Sequence, residues 1–428
     1  NLNLYILPMM ENKKFFFIYL ISIYSFLIFG LIIGEDPIKG ASLDFKSHII
    51  ATKAFSEDFF NTLINYDKIG MRHSPVFYIL RSLFINNEFL FKFVFLNLMI
   101  VSVYFFYKSL RINFDSSKYL LIYFATLLTI LPTYRSYSFW PDPHLLGFVF
   151  FMISINYFLK FVKARDFYNQ KKYAKFNTIF LVLSAYISPN YGLFVIFNMY
   201  NFYIKTKNIR FLSNFFLLNL LLGLPFFLYL FFFDINFIFG NSEFNIGENI
   251  YSITNISNKK VLILSLILFY QIPLILNLKK NFFNVIFVNK FLFLVLTIAY
   301  LYFCYKFDFS KSYNITNSGG GIVYSISNKI FNNNNFLFFF SFISLIIQFI
   351  LSSISKSNIL LFLCIFLSHP QETLWQANLS PMLFVIIFTL FIFPTLSKNE
   401  FINKKLFTYY FTYFLSFYLI SNFREFLF

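Results

Sequence analysis

Two adjacent carboxylic acids, Glu35 and Asp36, follow directly on a long apolar run from Phe15 to Ile33, and Asp44 and His48 come soon after. A carboxylate within hydrogen-bond reach of a hydroxyl can serve as a general base, and an imidazole can orient it or carry its proton. Asp44 and His48 are spaced i, i+4, so a helix would put them on one face. From Asp44 to Phe60 the pattern predicts a helix lying along a membrane interface. Lys46, Lys53 and Glu57 share one arc, and Phe45, Ile49, Phe59 and Phe60 spread over another. The Asp44/His48 face lies away from the charged arc. Asp44 is also of the residue type that caps a helix N-terminus, a role compatible with catalysis.

Further groups of the same chemical kind recur along the chain. In "RHSPVFYIL" (72–80) Pro75 suits the first turn of a helix and Ser74 its N-cap. Arg72 and His73 just before it would either anchor to headgroups or meet a phosphate, for which a guanidinium offers a planar fork. "YRSYSFWPDPHLLG" (134–147) brings Arg135, Asp142 and His144 close together near membrane depth, where ionisable groups are costly and mark function. There Asp142 is a candidate cap for the helix containing His144. "LSHPQETLWQANLSP" (367–381) holds His369, Gln371 and Glu372. "NSGGGIVYS" (317–325) lacks the GK[ST] ending of a phosphate loop and reads as a flexible connection. His48, His144, His369 and Asp44 are suitable ligand types for a divalent metal, but no pair has a tight metal-ligand spacing, so no metal is expected.

The elements that must position these groups are membrane helices. Hydrophobic residues make up 58% of the 428 and charged residues only 12%, about half the usual charged share. Apolar runs long enough to suggest spans recur about thirteen times, against the roughly 20 residues that a crossing needs. They lie near 15–33, 89–107, 119–132, 144–160, 177–187, 191–204, 211–233, 261–278, 291–304, 336–353, 358–367, 379–395 and 406–422. The fold class expected is all-α: a polytopic transmembrane bundle of about 11–13 spans, forming one membrane domain over residues 1–428. Its first outer loop, 34–88, carries the interfacial helices. The run at 15–33 is too long for a signal-peptide core and is expected to remain as a helix. Cys304 and Cys364 lie in apolar runs and offer no disulfide framework.

The formal charge of +17 reads as the positive-inside rule, not as a nucleic-acid surface. With Lys13 and Lys14 in the cytoplasm, the inner segments hold 21 of the 35 Lys/Arg and 4 of the 18 Asp/Glu. All four histidines and both tryptophans, Trp140 and Trp375, then fall on the outer side. The tryptophans are expected to be interface anchors. The abundant Phe, Asn and Lys look like an AT-rich coding bias and carry little functional weight.

One apolar segment, then a long outer loop with "GEDP", "LDFKSHII" and "RHSP", resembles the GT-C superfamily of integral-membrane glycosyltransferases. The resemblance implies a sugar donor linked to polyprenyl phosphate, a glycan or lipid acceptor, and a catalytic acid early in the first outer loop. Many members carry two neighbouring acids there, whereas Asp44 is followed by Phe45 and the adjacent pair is Glu35–Asp36. The base is therefore Asp44 or Asp36, with Asp44 favoured as the start of the interfacial helix. Asp36, followed by Pro37, would sit in an extended turn. Arg72, His73 and Arg135 are the candidates for the phosphate, and His48 for orienting Asp44. Asp142, His144, His369, Gln371 and Glu372 are candidates for substrate contact. A bacterial inner membrane with the site facing the periplasm is the expected location. The alternatives are a polysaccharide polymerase or ligase, and a transporter or flippase for lipid-linked glycans. A transporter predicts charged residues within several spans and inverted repeats; no repeat is visible.

Overall fold

A computed structural model describes residues 13–71, 73–235, 253–276, 290–308, 320–368, 374, 376–393 and 401–427, with the backbone alone at 253–256, 378 and 424–427. Every regular element among the described residues is helical. Hydrocarbon offers no partner to a backbone amide, so a spanning segment satisfies its own polar groups as a helix. Six helices are long and apolar enough to cross a membrane: Lys13–Ile33, Glu88–Asn113, Pro143–Lys163, Ile209–Phe232, Ser257–Ile275 and Asn335–Ile354. The protein is an all-α, multi-pass integral membrane protein.

Each of the other predicted runs also contains helix, but shorter or more polar. Lys118–Ile130, Lys290–Tyr305 and Lys356–Leu367 are apolar helices of 10–17 residues. The run 379–395 holds only the eight-residue helix Met382–Thr389. The run 177–187 is the apolar half of Phe167–Ile187, whose first half is strongly basic.

By packing, the chain divides into two compact units, Asn1–Ser188 with Leu396–Phe428, and Pro189–Thr395. The first begins with α1 (Lys13–Ile33), followed by four short helices: α2 (Ala41–Ser47), α3 (Ile49–Glu57), α4 (Phe59–Ile64) and α5 (Pro75–Ser82). Then come α6 (Glu88–Asn113), α7 (Lys118–Thr126), α8 (Pro132–Phe139), α9 (Pro143–Lys163), α10 (Phe167–Ile187) and, from the far end of the sequence, the C-terminal helix Lys404–Leu427.

Spans in lipid gain little from hydrophobic contact alone, and small polar residues hold them together. Asn177 of α10 donates to Ser154 Oγ of α9 at 2.8 Å, and Ser184 donates to the Gly147 carbonyl at 2.7 Å. Asn156 of α9 donates to Ser109 of α6 at 3.3 Å. Tyr19 of α1 bonds Thr126 of α7 at 2.6 Å.

The second unit contains α11 (Phe194–Thr206), α12 (Ile209–Phe232), α13 (Ile253–Ile275), α14 (Lys290–Tyr305), α15 (Gly321–Phe331), α16 (Asn335–Ile354), α17 (Lys356–Leu367) and α18 (Met382–Thr389). Its α13 and α16 are joined by a buried amide pair, in which Gln348 donates to Gln271 Oε1 at 2.7 Å. Tyr300 of α14 donates to the Phe338 carbonyl of α16 at 2.6 Å.

Candidate functional site

The first unit gathers most of the predicted residues, beginning where α1 ends. Gly34 has φ +64, the left-handed geometry that glycine adopts without strain. Its N–H reaches the Leu31 carbonyl at 3.3 Å, and the Glu35 N–H reaches Gly30 at 2.9 Å, which is a Schellman closure. The turn directs Glu35 onto Arg135. Arg135 Nε donates to Glu35 Oε1 at 2.8 Å, Nη2 pairs with Oε2, and Tyr418 of the C-terminal helix donates to Oε1 at 2.8 Å. The guanidinium also lies over the Phe26 ring, 4.1 Å from its centroid. Arg135 is only 1% exposed. This corrects its expected role: the bidentate fork that a phosphate would use is occupied by Glu35, and the pair ties α1, α8 and the C-terminal helix together.

The interfacial helix is also built differently from the expectation. It begins at Ala41, not at Asp44, and Gly40 is its N-cap residue without a side-chain bond. The anionic cap comes from Asp36, whose Oδ2 accepts from the Ser42 N–H at 2.9 Å. Asp44 thus lies inside the first turn of the helix and neither starts nor caps it. Asp36 Oδ1 is buried with no hydrogen-bond partner among the described residues. At His48 the helix breaks into α2 and α3, although the backbone bonds Asp44–His48 (3.0 Å) and His48–Thr52 (3.2 Å) carry on through it. Lys46, Lys53 and Glu57 are exposed as the pattern implied, while Phe45 and Phe55 are the aromatic anchors turned inward.

Asp44 is exposed and His48, one turn on, is buried. The His48 ring meets His73 edge-on at 5.3 Å between centroids, and His73 meets His144 at 5.1 Å. His48 also packs against Tyr78 at 5.3 Å. Three of the four histidines thus form one row. His144 Nδ1 bonds Ser188 Oγ at 3.2 Å. Asp142 caps α9 as expected, accepting from the His144 N–H at 2.7 Å, and Ser74 caps α5 with Pro75 in the first turn.

Burial sets the protonation states. It pushes His48 down to about 3, with the Arg81 guanidinium and His144 adding to the shift, so the imidazole is neutral at pH 7. It pushes Asp142 up to about 7 against the His144 N–H bond. Tyr78 and Tyr137 are both driven upward, first by burial and then by carboxylate charges: Asp142 and Asp44 at Tyr78, and Asp142, Asp44 and Asp36 at Tyr137. Tyr137 therefore stands within electrostatic reach of all three aspartates. The Tyr78 hydroxyl and His48 Nδ1 are buried without hydrogen-bond partners among the described residues. Such groups are rare and concentrate where a ligand completes the bonding.

Tyr78, Tyr137 and Arg81 are site residues that the sequence reading missed. Both tyrosines lie inside the quoted motifs but are hidden among 30 tyrosines. Trp140 is not a plain interface anchor: it packs on the cluster of Leu27, Leu31, Leu96 and Phe139, with Lys92 Nζ 3.7 Å above its ring. Arg72, His369, Gln371, Glu372 and Trp375 lie outside the described residues. Among the described residues no group of three or more His, Cys, Asp or Glu side chains is arranged to hold a metal ion. The arrangement sets an exposed carboxylate beside a buried group of imidazole and phenol side chains that can bond hydroxyl groups.

Compared with known proteins, the chain matches no family model, no curated protein and no solved structure.

Proposed function

We propose that this protein is a membrane glycosyltransferase of the GT-C kind, moving a sugar from a polyprenyl-phosphate-linked donor to a glycan or lipid acceptor at the outer face. The observation that carries the reading is Asp44: an exposed carboxylate on the short helix after the first span, one turn before His48 and the row of rings that His48 begins. Asp44 accepts the proton of the acceptor hydroxyl as its oxygen attacks the anomeric carbon. The anomeric C–O bond breaks, its electron pair passes to the departing phosphate, and a single displacement inverts the centre. Asp36 is the second candidate: its Oδ2 accepts from the Ser42 N–H, and the carboxylate is less exposed than that of Asp44. The row of histidines, with His48 neutral, and the two phenols fit hydroxyl recognition better than charge stabilisation. In this reading the site faces the periplasm from a bacterial inner membrane.

The test compares lipid-linked and surface glycans from cells with wild-type protein and with Asp44→Asn, at matched membrane levels. Loss of one sugar with accumulation of the unmodified acceptor is expected. An unchanged glycan profile with Asp44→Asn would remove Asp44 as the base. An unchanged profile with Asp36→Asn as well would overturn the transferase reading in favour of transport.

A further inference from the structure

Arg81 has a role that neither the fold nor the proton chemistry uses. It ends α5, is 5% exposed, and donates from Nη1 to the Phe45 carbonyl at 2.8 Å while lying 3.7 Å over the Phe45 ring. That is its one hydrogen bond among the described residues, and it has no ion-pair partner there. A cation so deeply buried ordinarily has a carboxylate against it. Glu88 lines the same cleft, but its Oε1 is held at 2.6 Å by Lys92, which also lies over Trp140 and Phe45.

Arg81 lines a cleft of about 30 Å³ where α3, α5 and the head of α6 meet, together with Thr52, Glu88, Ile49, Phe84 and Ile85. The Thr52 hydroxyl already donates to the His48 carbonyl at 2.9 Å, which leaves the guanidinium as the free polar donor of the cleft. The surrounding surface is apolar and exposed: Ile50 at 62%, Leu83 at 75% and Phe89 at 61%. A fixed cation beneath an apolar rim, at the point where a span enters the interface, has the chemistry to take an anionic headgroup and leave its chain in lipid.

We infer that this cleft binds the phosphate of a membrane lipid through Arg81, with Lys92 adding to the field. The donor's own phosphate is the occupant if the glycosyltransferase reading holds, on which that identification rests. Arg81 is bonded to Phe45, the residue that follows Asp44 in the chain. Arg81 replaces Arg135 as the cation for the leaving group.

The test measures lipid binding to the full-length protein in neutral detergent by native mass spectrometry. The ligands are a short prenyl phosphate, the matching prenyl alcohol, phosphatidylglycerol and inorganic phosphate. Prenyl phosphate is expected to bind saturably and the alcohol not. Arg81→Gln removes a charge-assisted contact and should raise Kd by about tenfold or more. Glu88→Gln, at an exposed position, removes the opposing charge and should lower Kd, and it carries the test if Arg81→Gln does not fold. Phosphatidylglycerol binding equally, with the same Arg81 dependence, would support the site and assign it to bulk lipid. Equal binding of the alcohol, tight binding of inorganic phosphate alone, or a Kd indifferent to both substitutions would overturn the proposal. Binding without a glycan phenotype for either Asp44→Asn or Asp36→Asn would keep the cleft and remove the transferase. Transfer that survives Arg81→Gln with unchanged Kd would do the reverse.

Discussion

The ion pair between Glu35 and Arg135 gives the most exacting test of the architecture. Glu35→Gln keeps the shape and the contact with Tyr418 but leaves a guanidinium that is 1% exposed without its counter-charge. Removing one partner of a buried pair costs about 3–5 kcal/mol, because the remaining charge stays desolvated. The Glu35 side chain is 9% exposed, so water screens the pair little, and the upper half of that range applies. At roughly 2–4 °C per kcal/mol for a domain of this size, the midpoint of thermal unfolding in detergent should fall by roughly 10 °C. Arg135→Met in the same chain removes the stranded charge and fills the space between Phe26, Phe139 and Tyr418, so the double variant should recover most of the loss. A double-mutant cycle on thermal unfolding measures the coupling. A Glu35→Gln cost below about 1 kcal/mol, or a double variant no better than the single, would refute the reading of Arg135 as a structural clamp.

Two further substitutions probe the same region. A Cβ added at Gly30 would lie 2.6 Å from the Phe139 ring and 2.7 Å from Glu35 Oε2; Gly30→Ala should therefore cost about 1–3 kcal/mol through overpacking, read as a lowered unfolding midpoint. The buried Asp142 has its pKa raised from 3.8 to about 7, so its contribution to stability is full below pH 4 and is lost as pH rises to 7. His48, lowered from 6.5 to about 3, has the opposite sign: its contribution is full above pH 6.5 and is lost as pH falls towards 3. Between pH 4 and 6.5 the two oppose each other. Asp142→Asn keeps an N-cap residue but no longer titrates, so the variant should lose stability on acidification where the wild type changes little; equal pH profiles would contradict the burial of Asp142.

Local signals in the sequence were legible and long-range ones were not. Ser74 before Pro75 and Asp142 before Pro143 declared their caps, because capping is decided within three residues. The first span and the clustering of acids and histidines behind it were equally plain. The Glu35–Arg135 bond joins residues 100 apart, and no spacing rule reaches that far. Asp36 and Asp44 exchanged the capping role because the helix starts at Ala41, three residues earlier than its apolar pattern implied. Arg81 looked like an ordinary basic residue at the end of a short helix. Only packing against Phe45 shows that it is buried, with no ion pair among the described residues.

The C-terminal helix belongs to the same compact unit as the first span, and its Tyr418 bonds the carboxylate that Gly34 turns back towards Arg135. During synthesis Glu35 and Arg135 enter the membrane long before Tyr418 exists. Everything from Pro189 to Thr395 is made in between, so the second unit is in effect an insertion within the first. The carboxylate that Gly34 positions therefore gains its Tyr418 partner only after the whole of the second unit has been made.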